Sequence, residues 1–185
     1  MTKDVLNRIE TSMKKGVEAM VRDFTGVRTG RASAALLQGI TVECYGTSTP
    51  LQQVASVAIP ETRLMTIQPW DQSLLSAIEK AILKSDLGIT PSSDGRVVRI
   101  AIPPLTEERR KELVRIVRRM AEEGRVAIRN VRRDGNEKLK ALEKQKQISE
   151  DDVKKGTESV QKLTDKYIKE IEAALTNKEK EILEF

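Results

Sequence analysis

Histidine is absent from this chain and cysteine occurs once. Without imidazole there is no His-containing zinc site, no Ser-His-Asp triad and no histidine acid-base step. Cys44 alone closes no intrachain disulfide, which fits a reducing cytoplasm. The aromatics are only Trp70, Tyr45, Tyr167, Phe24 and Phe185. They form no strand-borne pair on which single-stranded bases could stack. No apolar run approaches the roughly 18 residues of a membrane helix, so no membrane partner is expected. Early charge in the opening Met-Thr-Lys-Asp-Val-Leu predicts that it is no signal peptide. Glycine-rich phosphate loops of either common type are missing as well. Carboxylates abound, yet Glu107-Glu108 and Asp151-Asp152 read as helix-dipole and capping groups rather than an acid-base pair. No enzyme, metal site or cofactor is expected.

What the chain has is charge and aliphatic periodicity. A third of its 185 residues are charged, which favours long solvated helices over a thick core. The net charge of +5 is unevenly spread: residues 106–147 hold 14 Lys and Arg against 8 Asp and Glu, whereas residues 148–185 hold 7 against 10. Residues 31–105 are balanced, with 6 of each sign.

Val5, Ile9, Met13, Val17, Met20, Phe24 and Val27 recur at steps of three and four, predicting a helix over 3–27 with Thr2 as N-cap and Gly30 as stop. Gly16 inside it costs on the order of 1 kcal/mol against Ala if exposed. From Gly30 to Pro104 the period shifts towards two. Ile40 to Tyr45, Val54 to Ile59, Arg63 to Ile67 and Val97 to Ile102 read as strands. Asp71 caps a short helix with Leu74, Leu75, Ile78, Ala81 and Ile82 on one face, closed by Gly88. Thr90 to Gly95 is a turn cluster, and Cys44 falls on the core side of its strand. Thr106 caps a second long helix reaching about Gln147, and Ser149 to Asp152 resembles a capping box opening a third. That third helix carries Val153, Val160, Leu163, Tyr167, Ile171, Leu175 and Ile182.

These elements predict an α+β protein: an elongated antiparallel three-helix bundle from 1–30 and 106–185, with a small β/α/β domain, 31–105, inserted between helices one and two. Connectors at 29–33 and 102–105, with Thr29, Gly30, Arg31, Pro103, Pro104 and Leu105, would form a hinge in an L-shaped particle.

The second helix shows two faces. An apolar seam runs through Leu113, Val117, Met120, Ile128, Val131, Leu139 and Leu142; a basic stripe runs through Lys111, Arg115, Arg118, Arg125, Arg129 and Arg132. An offset of two residues places the stripe roughly 160° from the seam, nearly opposite. Such a stripe is ordinarily a solvated face laced with ion pairs. Here nine Arg to one Lys lie between 109 and 133. Arginine's planar fork suits phosphate, which points to an anionic partner, with phosphate and shape recognition of folded RNA as the mode. An elongated coiled-coil adaptor or chaperone is the other reading of the same helices. Gly124 and Gly135 lie near the buried side and predict close helix approach.

Arg28-Thr-Gly-Arg-Ala32, Pro104-Leu-Thr-Glu-Glu-Arg-Arg110 and Arg125-Val-Ala-Ile-Arg-Asn-Val-Arg-Arg133, with Glu43-Cys-Tyr-Gly46 and Ser85-Asp-Leu-Gly88, resemble the ribosome recycling factor family over the whole chain. The resemblance implies a three-helix bundle with an inserted domain, working as a cytoplasmic monomer in bacterial or organellar translation. With elongation factor G, and GTP hydrolysed by that partner, such proteins split the post-termination ribosome so that mRNA and tRNA leave. It further implies that Arg129, Arg132 and Arg133 meet ribosomal RNA of the large subunit, with Arg28, Arg31 and Arg110 contributing near the hinge; Arg125, on the same stripe, is expected to join them. Gly135 stands where the family pattern leads one to expect alanine, and Gly16 is unusual too.

Overall fold

The computed structural model describes residues 1–184, which form two compact units. One comprises Met1–Thr29 and Thr106–Glu184, the other Gly30–Leu105. The expected α+β class is borne out: long helices accompany small antiparallel sheets.

In the first unit, α1 (Thr2–Thr25), α4 (Glu107–Lys144) and α5 (Glu150–Glu184) each pack on the other two. Buried Ile9, Met13, Val17, Met20 and Phe24 on α1 meet Leu113, Val117, Ala121, Ile128 and Leu139 on α4 and Val160, Tyr167, Ile171 and Ile182 on α5. Thr2 lies inside α1 rather than capping it, and the helix stops at Thr25, short of Gly30. There the Thr25 hydroxyl donates to the Arg22 carbonyl at 2.6 Å, beside the Gly26 amide that closes the last turn on the same carbonyl at 3.4 Å.

Thr106 Oγ1 accepts from the Arg109 amide at 3.2 Å and starts α4 as expected. The helix closes three residues before Gln147. Lys146, at φ 57°, and Gln147 bond back to the carbonyls of Glu143 and Leu142, a Schellman closure with lysine in the usual glycine place. Ser149 and Asp152 then exchange bonds, Asp152 N donating to Ser149 Oγ at 3.1 Å and Ser149 N to Asp152 Oδ2 at 3.0 Å. This reciprocal box opens α5.

In the second unit, β1 (Thr41–Cys44) and β2 (Thr47–Pro50) form a hairpin whose two-residue turn puts Tyr45 at φ 51°. The Tyr45 hydroxyl is tied to Asp71, whose other oxygen accepts from Ser73 N at 3.0 Å and starts the helical stretch. After α2 (Leu51–Val54), strands β3 (Ala55–Glu61), β4 (Leu64–Pro69), β5 (Ser92–Ser93) and β6 (Val98–Ala101) pair antiparallel in the order β3-β4-β6-β5. Between β4 and β5, α3 (Leu75–Lys84) buries Ile78 and Ile82 with Met65, Ile67, Val98 and Ile100. It ends at Lys84, not Gly88, because the Ser85 hydroxyl donates to the Ile82 carbonyl at 2.6 Å. Cys44 is half-buried at the rim of this core. The polar strands β2 and β5 were not expected from periodicity.

Gly135 is where α4 comes hardest onto α1. A Cβ there would collide with Ile9 Cδ1 and stand 3.0 Å from Ile9 Cγ1, so a bulky residue at 9 and none at 135 go together. Gly16 is different, since its nearest neighbour, Ile128 Cδ1, lies 3.8 Å away. Gly135→Ala is expected to lose about 1 kcal/mol net, overpacking outweighing the gain in helix propensity. In an Ile9→Ala background the same change should become stabilising. Urea unfolding of the four proteins reads this coupling, and strict additivity would show that the two positions do not touch. Gly16→Ala should gain roughly 0.5–1 kcal/mol in the same assay.

Candidate nucleic-acid interface

The arginines of α4 flank the seam rather than oppose it. Ile128 is buried, and Arg125 and Arg132 stand three residues before and four after it, about 60° and 40° away around the helix. The stripe therefore lies along the edge where α4 meets α5, and not nearly opposite the core as the sequence offset suggested. The buried positions of α4 are Leu113, Val117, Ala121, Ile128, Gly135 and Leu139, whereas Met120, Val131 and Leu142 are half-buried.

That placement brings acidic residues of α5 against the stripe in antiparallel register. Arg118 Nε lies 2.5 Å from Glu179 Oε1, and Arg125 Nη1 lies 2.5 Å from Glu172 Oε1. Arg125 Nε also meets Glu122 Oε2 at 2.7 Å, and Glu122 Oε1 reaches Arg129 Nη1 at 3.3 Å. Arg125 is only 19% exposed. Its bonds to Glu122 and then Glu172 strengthen its hold on the proton, while Arg125 and Arg129 pull Glu122 below the usual carboxylate range. Two arginines of the stripe, Arg118 and Arg125, are thus committed to carboxylates of α5, and Arg129 is held by Glu122 on its own helix.

Towards the C-terminal half of α4 the cations are held differently. Arg132 Nη1 donates to the amide oxygen of Gln161 at 3.3 Å, and Arg133 donates to Asn130 Oδ1. Neither has an ion pair among the described residues. Together with Arg129, Val126, Asn136, Glu137 and Lys140 these residues line an open depression of about 710 Å³. Lys140, Asn130, Asn136 and Gln161 were not picked out in the sequence. Lys140, seven residues beyond Arg133, continues the stripe and could have been found from spacing; Gln161 belongs to another helix and could not.

The remaining arginines singled out from the sequence are not in this depression. Arg110, in the first turn of α4, donates from Nη1 to the Leu183 carbonyl at 2.9 Å, while its Nε is buried without a partner among the described residues. Arg28 and Arg31 are exposed on the segment after α1. Thr29 between them is buried, its hydroxyl donating to Glu181 Oε1 at 3.0 Å. Gly30 takes φ 77°, and a Cβ there would stand 3.1 Å from Leu105 Cγ. Pro103 and Pro104 are exposed. Among the described residues no cluster of His, Cys, Asp or Glu could hold a metal, and no helix is long and apolar enough to cross a membrane.

Arg129, Arg132, Arg133 and Lys140 against the single carboxylate of Glu137 make this shallow groove strongly basic, the arrangement by which positioned charge attracts polyanions. The sequence model of the family described as ribosome recycling factor matches residues 20–183. The ribosome-recycling factor of Syntrophomonas wolfei is 56% identical over 184 residues, covering 100% of both chains, and that of Bacillus pumilus is 55% identical over the same span. A solution structure of a ribosome recycling factor superposes with a TM-score of 0.78 at 46% identity, covering 100% of this chain and 98% of its own. A second structure, at TM-score 0.65 and 49% identity over 99% of each chain, shows the T. thermophilus ribosome recycling factor and E. coli elongation factor G bound to the E. coli post-termination complex. The chain belongs to the ribosome recycling factor family. The family consists of translation factors without enzymatic activity of their own.

The two classes of arginine should part in mutagenesis. Arg125→Ala is expected to lower bundle stability by about 1 kcal/mol after solvent screening, since it leaves Glu122 and Glu172 facing each other. Arg133→Ala should stay within about 0.5 kcal/mol of the parent. Urea unfolding monitored by helicity distinguishes them; equal effects would contradict the assignment.

Proposed function

We propose that this chain acts with elongation factor G on the post-termination ribosome, promoting its separation into subunits and the release of mRNA and tRNA for a new round of initiation. The observation that carries the reading is end-to-end identity of 56% with a curated ribosome-recycling factor, joined to a structural relative seen with elongation factor G on a post-termination complex. The chain itself makes and breaks no bond; GTP is used by the partner factor. It works as a monomer in the cytoplasm.

In this mechanism Arg129, Arg132, Arg133 and Lys140 hold phosphates of large-subunit RNA, in a groove that reads charge and shape rather than bases. Arg125 serves chiefly to lock α4 to α5. The segments 29–33 and 102–105 act as a hinge: Pro103-Pro104 is stiff because each ring fixes its own φ. Arg28, Arg31 and Arg110, at the ends of these connectors, add contacts there. Elongation factor G pushes, and the connectors pass that push to the anchored bundle.

Arg132→Ala should weaken binding to purified large subunits about eightfold at 0.1 M monovalent salt and reduce the slope of log affinity against log salt by about 0.9, with helicity unchanged. Unaltered binding across a salt series at constant magnesium would refute the RNA contact. For the hinge, four flexible residues inserted between Pro103 and Pro104 should leave binding intact while slowing subunit splitting by elongation factor G. Splitting at the parent rate would eliminate the lever.

A further inference from the structure

Seven residues separate Arg118, Arg125 and Arg132 on α4, and seven separate Glu179, Glu172 and Asp165 on α5. In antiparallel helices these make a ladder with steps of about 10.5 Å. Its first two rungs are closed by direct ion pairs at 2.5 Å. The third is not. Gln161 stands between its two ends, donating from Nε2 to Asp165 Oδ1 at 2.9 Å and accepting from Arg132 Nη1 at 3.3 Å through Oε1. The amide can face only one way, because a carboxylate accepts and a guanidinium donates. The carboxylate of this rung is also one methylene shorter than the other two.

We propose that Gln161 is a positioning residue that keeps the third rung open, so that Arg132 is aimed into the groove by a neutral oxygen and retains its full charge for a phosphate of structured RNA. A phosphate arriving at Arg118 or Arg125 must displace a carboxylate from the guanidinium. At Arg132 it displaces only an amide, and Asp165 stays satisfied by the same amide. The interceptor thereby decides which step of a uniform ladder is available to RNA. The proposal rests on the RNA-binding reading above.

The test closes the rung. Gln161→Ala with Asp165→Glu converts the third rung to the pattern of the first two; Gln161→Ala with Asp165→Gln has the same size and removes the charge. Both are measured with Arg132→Ala for binding to purified large subunits over a monovalent salt series, beside thermal unfolding. The Glu-bearing variant should lose about eightfold in affinity at 0.1 M salt and about 0.9 of the salt slope, matching Arg132→Ala, while the Gln-bearing variant, which loses the aiming contact but adds no carboxylate at the rung, should keep a steeper salt slope than the Glu-bearing one. If Arg132→Ala weakens binding but the two double variants share one slope, the interceptor role is overturned. If Arg132→Ala itself changes nothing, the RNA-contact reading fails instead.

Discussion

The bundle depends on how closely its helices can approach, and small residues set that distance. At Gly135, Ile9 of α1 occupies the space of a missing side chain, and at Gly156 a Cβ would stand 2.9 Å from Leu139 Cδ1. Met20 Sδ lies 3.0 Å from where a Cβ on Gly124 would be. The first and third of these contacts pin α4 against α1, and the second pins α5 against α4 near the α4–α5 turn. With helices of 38 and 35 residues, a slip of one residue would move every polar group on the shared edge.

Register, once pinned, governs charge. The edge between α4 and α5 carries guanidinium groups on one side and carboxylates on the other, so part of the stripe is paired across the bundle and part has no ion pair among the described residues. Arg118 and Arg125 fall in the first group; Arg132, Arg133 and Lys140 fall in the second. The groove appears where carboxylates from α5 stop reaching across. A stripe of similar residue types therefore has two surroundings, separated by roughly one heptad.

The second unit obeys different local rules. Its sheet residues alternate around a core built from Met65, Ile67, Val98 and Ile100, and Asp94 braces the turn before β6 by accepting from the amides of Val97 and Arg96 and from Arg99. Those donors hold its carboxyl down to about 2, in the order given. Two prolines and a glycine with positive φ stand at the ends of this unit.

Local patterns were legible in the sequence. Steps of three and four located α1, α4 and α5, alternation located four strands, and Thr106, Asp71 and the Ser149–Asp152 box marked real helix starts, because each signal is carried by residues within a turn or two of one another. The excess of arginine on α4 was legible as well, since it is a matter of counting. The short polar strands β2 and β5 escaped because their partners, not their own composition, make them strands. Above all, the sequence could order the arginines but not sort them: Glu172 is 47 residues from Arg125, and Gln161 is 29 from Arg132. Which cation is neutralised depends on the azimuth and register of two packed helices, and only tertiary packing sets those.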